Sequence, residues 1–299
     1  MTPPEILSRP PQVLSQSQRE SYFEQGYLCV PAFNDETWTA RLRGAMQSLI
    51  EASRSLTRSN DTYILENGHC AASPRLRRLN SPVDHEPAFW EYAAESALPD
   101  LVAALIGPDV KFRECVLNFK WASGGQAVKW HQDFAFYPHS NLSVPVAITF
   151  LEDVAADQGP LRVIPRSHTG GIYDHFDTRG AWAGAISDDD LRSVALENAV
   201  DVTGPAGTVV VVHPATIHGS RSNGSARGRP LLINEYAAAD ARAYAPTPIP
   251  SRYTERTVRG HAAVDVHVED IDVRMPPDWS GGYVSIFEAQ AGEVTPADG

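Results

Sequence analysis

Residues Lys129 to Pro138 read KWHQDFAFYP and set a histidine and an aspartate two positions apart in an aromatic-rich run. On an extended strand, residues i and i+2 project from the same face. His131 and Asp133 therefore converge while Gln132 faces away. Imidazole and carboxylate together make a donor set suited to iron, manganese or zinc. The pair alone does not make a site, because an HxD tripeptide also arises as polar decoration on an exposed strand. A third donor is required.

The segment GTVVVVHPATIHGS offers two, His213 and His218. Val209 to Val212 run without polar relief, which reads as a strand buried on both faces. His213 ends that run, and His218 lies just past a proline-containing turn, where a barrel would open. Either could reach the HxD strand. Two histidines and a carboxylate on one face of a metal leave its opposite face open, the arrangement of non-haem Fe(II) oxygenases. Arg229 opens the next β-type run. An arginine at the start of a buried strand is costly unless it meets a carboxylate. Its planar fork suits bidentate pairing, here with a cosubstrate carboxylate. The competing reading is a surface arginine beside Arg227 in a basic turn.

The elements that must carry these residues differ between the two ends of the chain. Residues 1–13 are proline-rich and expected to be loose, with a single domain over 14–299. Helical support is predicted over about 14–107. Ser15 with Gln18 is a capping box, and Gly26 is a stop. Trp38, Leu42, Met46, Leu49 and Ile50 recur at helical spacing, and a further helix is predicted from about Pro87 to Ile106. After Pro108 the pattern becomes short β-type runs punctuated by Gly, Pro and Asn: VKFRECVLNFKW, VKWHQDF, VPVAITFLE, PLRVIP, GTVVVVH and PLLINEY. The predicted class is mainly β with flanking α-helices, an antiparallel double-sheet barrel or jelly roll with its core over about 108–240. Residues 170–199 form a long insertion, and 241–299 a C-terminal segment; both are candidate lids.

Composition narrows the function. With 299 residues the chain can bury a large core without disulfides. Its formal charge of −12 works against nucleic-acid or anionic-membrane surfaces, since phosphates would be repelled. Cys29, Cys70 and Cys115 form no CxxC pair and read as isolated thiols of a reducing, cytoplasmic compartment. The N-terminus has no apolar leader, and no run reaches membrane-spanning length.

Taken together these segments resemble the phytanoyl-CoA dioxygenase (PhyH-like) family of Fe(II)/2-oxoglutarate oxygenases. The resemblance begins at LSQSQRESYFEQGYLCVPAF, continues through LNFK, WHQDFAFYP and ITFLEDVAADQGPLRVIPRSH, and ends with HPATIHGSRSNGSARGRPLL. The HQD stretch and the segment from Gly159 to His168 are its most specific parts. Where the family often has Asn-Gly, this chain has Gln158–Gly159. The resemblance implies a double-stranded β-helix (jelly roll, cupin-like). It implies His131, Asp133 and His218 as iron ligands, so His218 rather than His213. Arg229 would clamp the distal carboxylate of 2-oxoglutarate. Asn118 and Lys120 would face cosubstrate or substrate, and Thr149 would hydrogen-bond a 2-oxoglutarate carboxylate. With O2, such a centre hydroxylates a C–H bond and releases succinate and CO2. Asp133 stands where related halogenases carry Gly or Ala, which disfavours halogenation.

The remaining candidates read as structural. His168 would cap a strand end, and His139, His175, His261 and His267 would be loop or solvent residues. Phe134, Phe136 and Tyr137 suggest core with one pocket-lining ring. Arg75, Arg77 and Arg78 read as a solvated patch, which leaves no phosphate site for a CoA ester and favours a free small-molecule substrate. A non-redox cupin-like metal- or sugar-binding protein is the main rival, and it has no use for Arg229; a zinc hydrolase is another, and it lacks an evident general-base glutamate near the HxD pair.

Overall fold

Caps and chain breakers set the helices of the first half. The computed structural model describes residues 1–122, 125–283 and 285–291. A short helix, α1 (Pro3–Ser8), occupies the segment expected to be loose. It is held because Ile6 is buried and the Arg19 guanidinium donates to the carbonyls of Ile6, Leu7 and Arg9 at 3.3, 3.0 and 2.8 Å. A buried arginine thus satisfies carbonyls that a helix end leaves open. In α2 (Gln16–Gln25) the expected capping box forms: Ser15 Oγ accepts the Gln18 amide at 3.2 Å, and Gln18 Oε1 accepts the Ser15 amide at 2.8 Å. Gly26 closes α2 at φ +80°, where a Cβ would strike His168 and Thr216.

Strand β1 (Tyr27–Val30) and helix α3 (Glu36–Ala52) follow, then β2 (Tyr63–Leu65) and β3 (Leu76–Asn80). The single helix predicted over 87–106 is two, α4 (Pro87–Glu95) and α5 (Leu98–Ile106). Ser96 is extended between them, with its hydroxyl donating to Tyr92 O and accepting from the Leu98 amide. Pro99 has no amide to carry the ladder across and suits a first turn.

The β-type runs become β4 (Val110–Lys120), β5 (Val128–His131), β6 (Val146–Phe150), β7 (Leu161–Val163), β8 (Val200–Val202), β9 (Val209–Val212), β10 (His218–Ser220), β11 (Arg229–Ala238) and β12 (Thr257–Arg259). A one-turn helix, α6 (Asp188–Leu191), lies in the insertion, and α7 (Ile286–Ala291) ends the described chain. All paired strands are antiparallel. One sheet runs β1–β9–β6–β11–β4–β3–β2 with β12 on the start of β4, and the other runs β5–β10–β7–β8.

Strand parity divides the core in two. Val209 and Val211, with Ala147, Leu117 and Leu232, pack against α3, α4 and α5 through Leu42, Phe89, Tyr92 and Leu101. Val210 and Val212, with Val146, Ile148 and Leu231, pack between the sheets against Phe134, Phe136 and Val163. The valine run is therefore buried on both faces, as its composition implies. This is a mixed helix and sheet architecture, with helices on the outer face of the large sheet.

Candidate active site

The inner face of the large sheet is a ladder of side chains set by register. On β11, Arg229, Leu231, Ile233 and Glu235 stand opposite Lys120, Asn118, Val116 and Glu114 of β4, and all eight line one cavity. Across that cavity the small sheet presents His131, Asp133 and His218.

Each of these three is positioned by a different local device. β5 ends at His131, and Asp133 begins a short 3₁₀ turn rather than continuing the strand. The two side chains still converge because Gln132 between them is extended, at φ −123° and ψ 129°. Gln132 turns the other way and is fully buried: its amide nitrogen donates to Ala215 O (2.8 Å) and Gly171 O (3.1 Å), and its oxygen accepts the Tyr173 amide (2.8 Å). His218 sits directly opposite His131 in the β10–β5 pairing. It is also opposite Val163 of β7, so the motif from Gly159 to His168 supplies the strand that holds it. Ser167 Oγ accepts the Ile217 amide at 2.8 Å, tying the same motif to the residue before His218.

The donor atoms of His131, Asp133 and His218 lie within 4.8 Å of one another. Asp133 Oδ1 is 3.6 Å from His131 Nε2 and 3.5 Å from His218 Nε2. Both imidazoles are oriented from behind: His131 Nδ1 lies 2.8 Å from Lys129 O, and His218 Nδ1 lies 2.9 Å from Thr216 O. A proton on each Nδ1 leaves both Nε2 lone pairs aimed at one point, which is how metal-bound histidines are usually fixed. Burial, and then His218, hold His131 well below the ordinary imidazole range, while burial raises Asp133. A cation at the shared point would reverse the penalty on Asp133. The chemistry of this donor set fits a divalent transition metal such as Fe(II).

The far end of the ladder is cationic. Arg229 is only 4% exposed, its Nε has no partner, and no ion pair forms on it among the described residues. Burial pushes it down to about 10. A buried guanidinium without a counterion calls for an anionic ligand, and a dicarboxylate cosubstrate fits. Lys120 opposite is pushed down to about 6, by burial and then by Arg229, and its Nζ donates to Ser220 Oγ at 2.7 Å and to Arg221 O. Asn118 faces the cavity with Oδ1 unpaired.

Other expectations change. Thr149 does not face the cavity. It has the parity of Ala147, and its hydroxyl lies 2.8 Å from the Tyr92 hydroxyl in the helix-side layer, where Tyr92 accepts from Asn34. Its neighbours Val146 and Ile148 line the cavity instead. Arg78 is no surface residue: it is 6% exposed and points into the cavity from β3, opposite Asn118. Arg77 does not line the cavity, but it is not solvated either: it is partly buried, paired with Glu66 at 2.9 Å and set over the Phe287 ring at 5.6 Å.

His213 is half-buried and away from the centre, with its ring 5.0 Å from His168 and 6.2 Å from Tyr22. His168 is structural as expected, its Nε2 2.9 Å from Phe23 O. His139 and His175, expected to be loop or solvent residues, are both buried. His175 Nε2 accepts the Gln132 amide at 2.9 Å, so it supports the residue between two candidate ligands. The sequence carries no spacing signal for that role.

The 170–199 insertion contributes no residue to the cavity wall among the described residues. It buttresses instead: Trp182 packs on Phe136 with centroids 5.0 Å apart and stacks on His175 at 6.2 Å. The C-terminal segment lines the cavity with Tyr283, Ile286 and Phe287. Gln290 holds it down, accepting the Lys129 amide and donating to Gly184 O, both at 2.8 Å. Residues 292–299 of the expected lid lie outside the described residues.

Comparison with known proteins agrees with this centre. The family model for phytanoyl-CoA dioxygenase (PhyH) matches residues 22–231. A probable alpha-ketoglutarate-dependent hypophosphite dioxygenase of Stutzerimonas stutzeri is 30% identical over 283 residues, covering 93% of this chain and 97% of that protein. L-proline trans-4-hydroxylase of Streptomyces griseoviridis is 32% identical over 237 residues, covering 72% and 83%. In fold, the chain is similar to the crystal structure of EctD from S. alaskensis with 2-oxoglutarate and 5-hydroxyectoine. The TM-score there is 0.68 at 22% identity, over 88% of this chain and 91% of that one. The chain belongs to the phytanoyl-CoA dioxygenase (PhyH) family. It is an alpha-ketoglutarate-dependent non-haem iron dioxygenase, with Fe(II) and 2-oxoglutarate as its cofactors.

Proposed function

We propose that His131, Asp133 and His218 hold the iron, that Arg229 binds the distal carboxylate of 2-oxoglutarate, and that the enzyme hydroxylates a C–H bond of a free small molecule. One observation carries the reading. Three donors converge on a point, and a buried guanidinium without a counterion stands on the facing sheet of the same cavity. Lys120 and Asn118 flank the cosubstrate end. When bound, iron and 2-oxoglutarate supply an oxidant made from O2, with succinate and CO2 as by-products; the protein supplies position and exclusion of water. Gln132 and His175 keep the ligand loop in place, and Tyr283, Ile286 and Phe287 line the cavity.

The two facing antiparallel sheets support a double-stranded β-helix, or jelly roll, within one domain over 14–299, with the helices as its outer support. The free thiols of Cys29, Cys70 and Cys115 suit a cytoplasmic setting, and among the described residues no helix is long and apolar enough to cross a membrane. The named relatives act on hypophosphite and L-proline, which supports a compact substrate over an acyl-CoA ester. Arg78 turned inward also leaves the basic triplet without a surface phosphate site.

Anaerobic titration with Fe(II) and 2-oxoglutarate tests the assignment. A weak visible charge-transfer band is expected in the wild type and in His213→Ala, and its loss in His218→Ala. Persistence of the band in His218→Ala would remove His218 from the centre. A non-redox cupin-like protein or a zinc hydrolase would form no succinate from 2-oxoglutarate and O2.

A further inference from the structure

The end of the ladder opposite Arg229 carries charges that the cosubstrate does not use. Glu235 of β11 and Glu114 of β4 face each other directly across the sheet, both on the cavity wall. Glu235 is six residues along β11 from Arg229, roughly 20 Å at the usual rise of an extended strand. Side chains directly opposite stand about 5 Å apart at Cβ, and like charges so placed are destabilising. Arg78 and Arg113 offset them only from beyond salt-bridge distance, and the two carboxyls hydrogen-bond each other. Among the described residues neither carboxylate has a lysine or arginine within salt-bridge distance, and the nearby Arg113 and Lys111 are both committed to Glu255. The Ile249 amide reaches Glu114 at 3.4 Å.

Arg78 faces the same space with the opposite charge. It is more than nine-tenths buried, its Nε is unpartnered, and no carboxylate lies within salt-bridge distance of it. Its guanidinium stands 5.8 Å from the Tyr283 ring of the C-terminal segment. The wall therefore holds two acids in contact with each other and one base, buried together with no ion pair between the base and either acid. Left in a low-dielectric cavity, such groups are costly until a ligand of matching charge satisfies them.

We infer that Glu114, Glu235 and Arg78 form the substrate subsite, and that the substrate is a small zwitterion whose ammonium lies on the paired carboxylates and whose carboxylate lies on Arg78. This rests on the iron and 2-oxoglutarate reading of the same cavity. Burial holds both carboxyls above their ordinary range, and repulsion from Glu114 and Asp133 adds to it at Glu235, a penalty that a bound ammonium relieves. A lone anion would meet two acids, a lone amine would leave Arg78 without a partner, and an acyl chain would leave all three groups bare. A free amino acid or an amidine acid satisfies every group.

The test uses the full chain loaded with Fe(II) and 2-oxoglutarate, and reads succinate. Slow succinate formation without any addition reports the iron and cosubstrate reading by itself; its absence would defeat that reading and not the subsite. Three probe sets are then added: the free protein amino acids with ectoine, the matching deaminated acids, and the matching amines, with hypophosphite as a small anion. At least one zwitterion is expected to stimulate succinate formation, and its hydroxylated product to appear by mass spectrometry. Stimulation confined to deaminated acids, amines or hypophosphite overturns the proposal, as does basal turnover that no zwitterion stimulates.

For the stimulating zwitterion, Glu235→Gln is expected to raise KM about tenfold or more while raising that of its deaminated analogue far less, since one charge-assisted contact is lost from the first only. Arg78→Gln is expected to do the reverse, penalising the zwitterion relative to the amine. Equal changes for both members of either pair would mean a merely structural role and overturn the assignment. Should the Glu235 variant fail to fold, the Arg78 variant and the wild-type probe sets decide.

Discussion

Arg229 and Thr149 show how one side chain's direction decides its role. Both lie on inner strands of the large sheet, and a family resemblance places both at the cosubstrate. Arg229 has the parity of Leu231 and Ile233 and enters the cavity. Thr149 has the parity of Ala147 and enters the helix-side layer, bonded to Tyr92. Arg229→Leu is expected to weaken 2-oxoglutarate binding by about 1.5–3 kcal/mol, roughly 10- to 150-fold, while iron binding persists. Thr149→Val is expected to cost about 1 kcal/mol of stability and leave 2-oxoglutarate affinity unchanged. Calorimetric titration and urea unfolding of the two variants check both halves. Loss of iron from Arg229→Leu would show that the residue shapes the metal end as well.

The 170–199 insertion, read as a lid from its length, is a brace. It contributes His175, Trp182 and the Tyr173 amide, all gripping Gln132 or Phe136 rather than the cavity. His131 and Asp133 converge only while Gln132 stays extended, so the brace would act on the geometry of the proposed metal site. His175→Ala removes the acceptor of the Gln132 amide, and iron affinity is expected to fall about 10- to 100-fold, the usual cost of losing an outer-shell partner. Metal competition with a chelator measures this, with circular dichroism as a check on the fold. Unchanged iron affinity would return the insertion to a role in covering the pocket. The C-terminal segment, by contrast, does line the cavity, through Tyr283, Ile286 and Phe287.

Across the whole molecule, desolvated histidines make stability depend on pH. The buried His139 and the half-buried His213 lie in different parts of the fold, and desolvation holds each at about 3. An unfolded histidine takes its proton near pH 6.5. The unfolded chain therefore binds more protons as the pH falls below that value. The stability these groups contribute is fully present above pH 6.5 and is lost as the pH falls towards 3, at up to about 1.4 kcal/mol per pH unit for each. Urea midpoints taken from pH 7 to pH 5 should fall, and fall less steeply in His213→Gln. An unchanged slope in that variant would show that its proton equilibrium does not differ between folded and unfolded chains.

Much of this protein was legible locally. The HxD spacing, the capping box at Ser15 and the doubly buried valine run each depend on residues close in the chain, where backbone period alone sets direction. His218 and Arg229 were legible too, as donor types at strand ends, although choosing His218 over His213 needed the family pattern. Strand period sorts residues into two faces, but it does not say which face is inward, and so Thr149 and Arg78 were misplaced. The pairings of His218 with His131 and of Glu235 with Glu114 join residues far apart in sequence, so only register brings them together. The three candidate donors were written in the sequence; the charged wall of Arg78, Glu114 and Glu235 exists only once β3, β4 and β11 lie side by side.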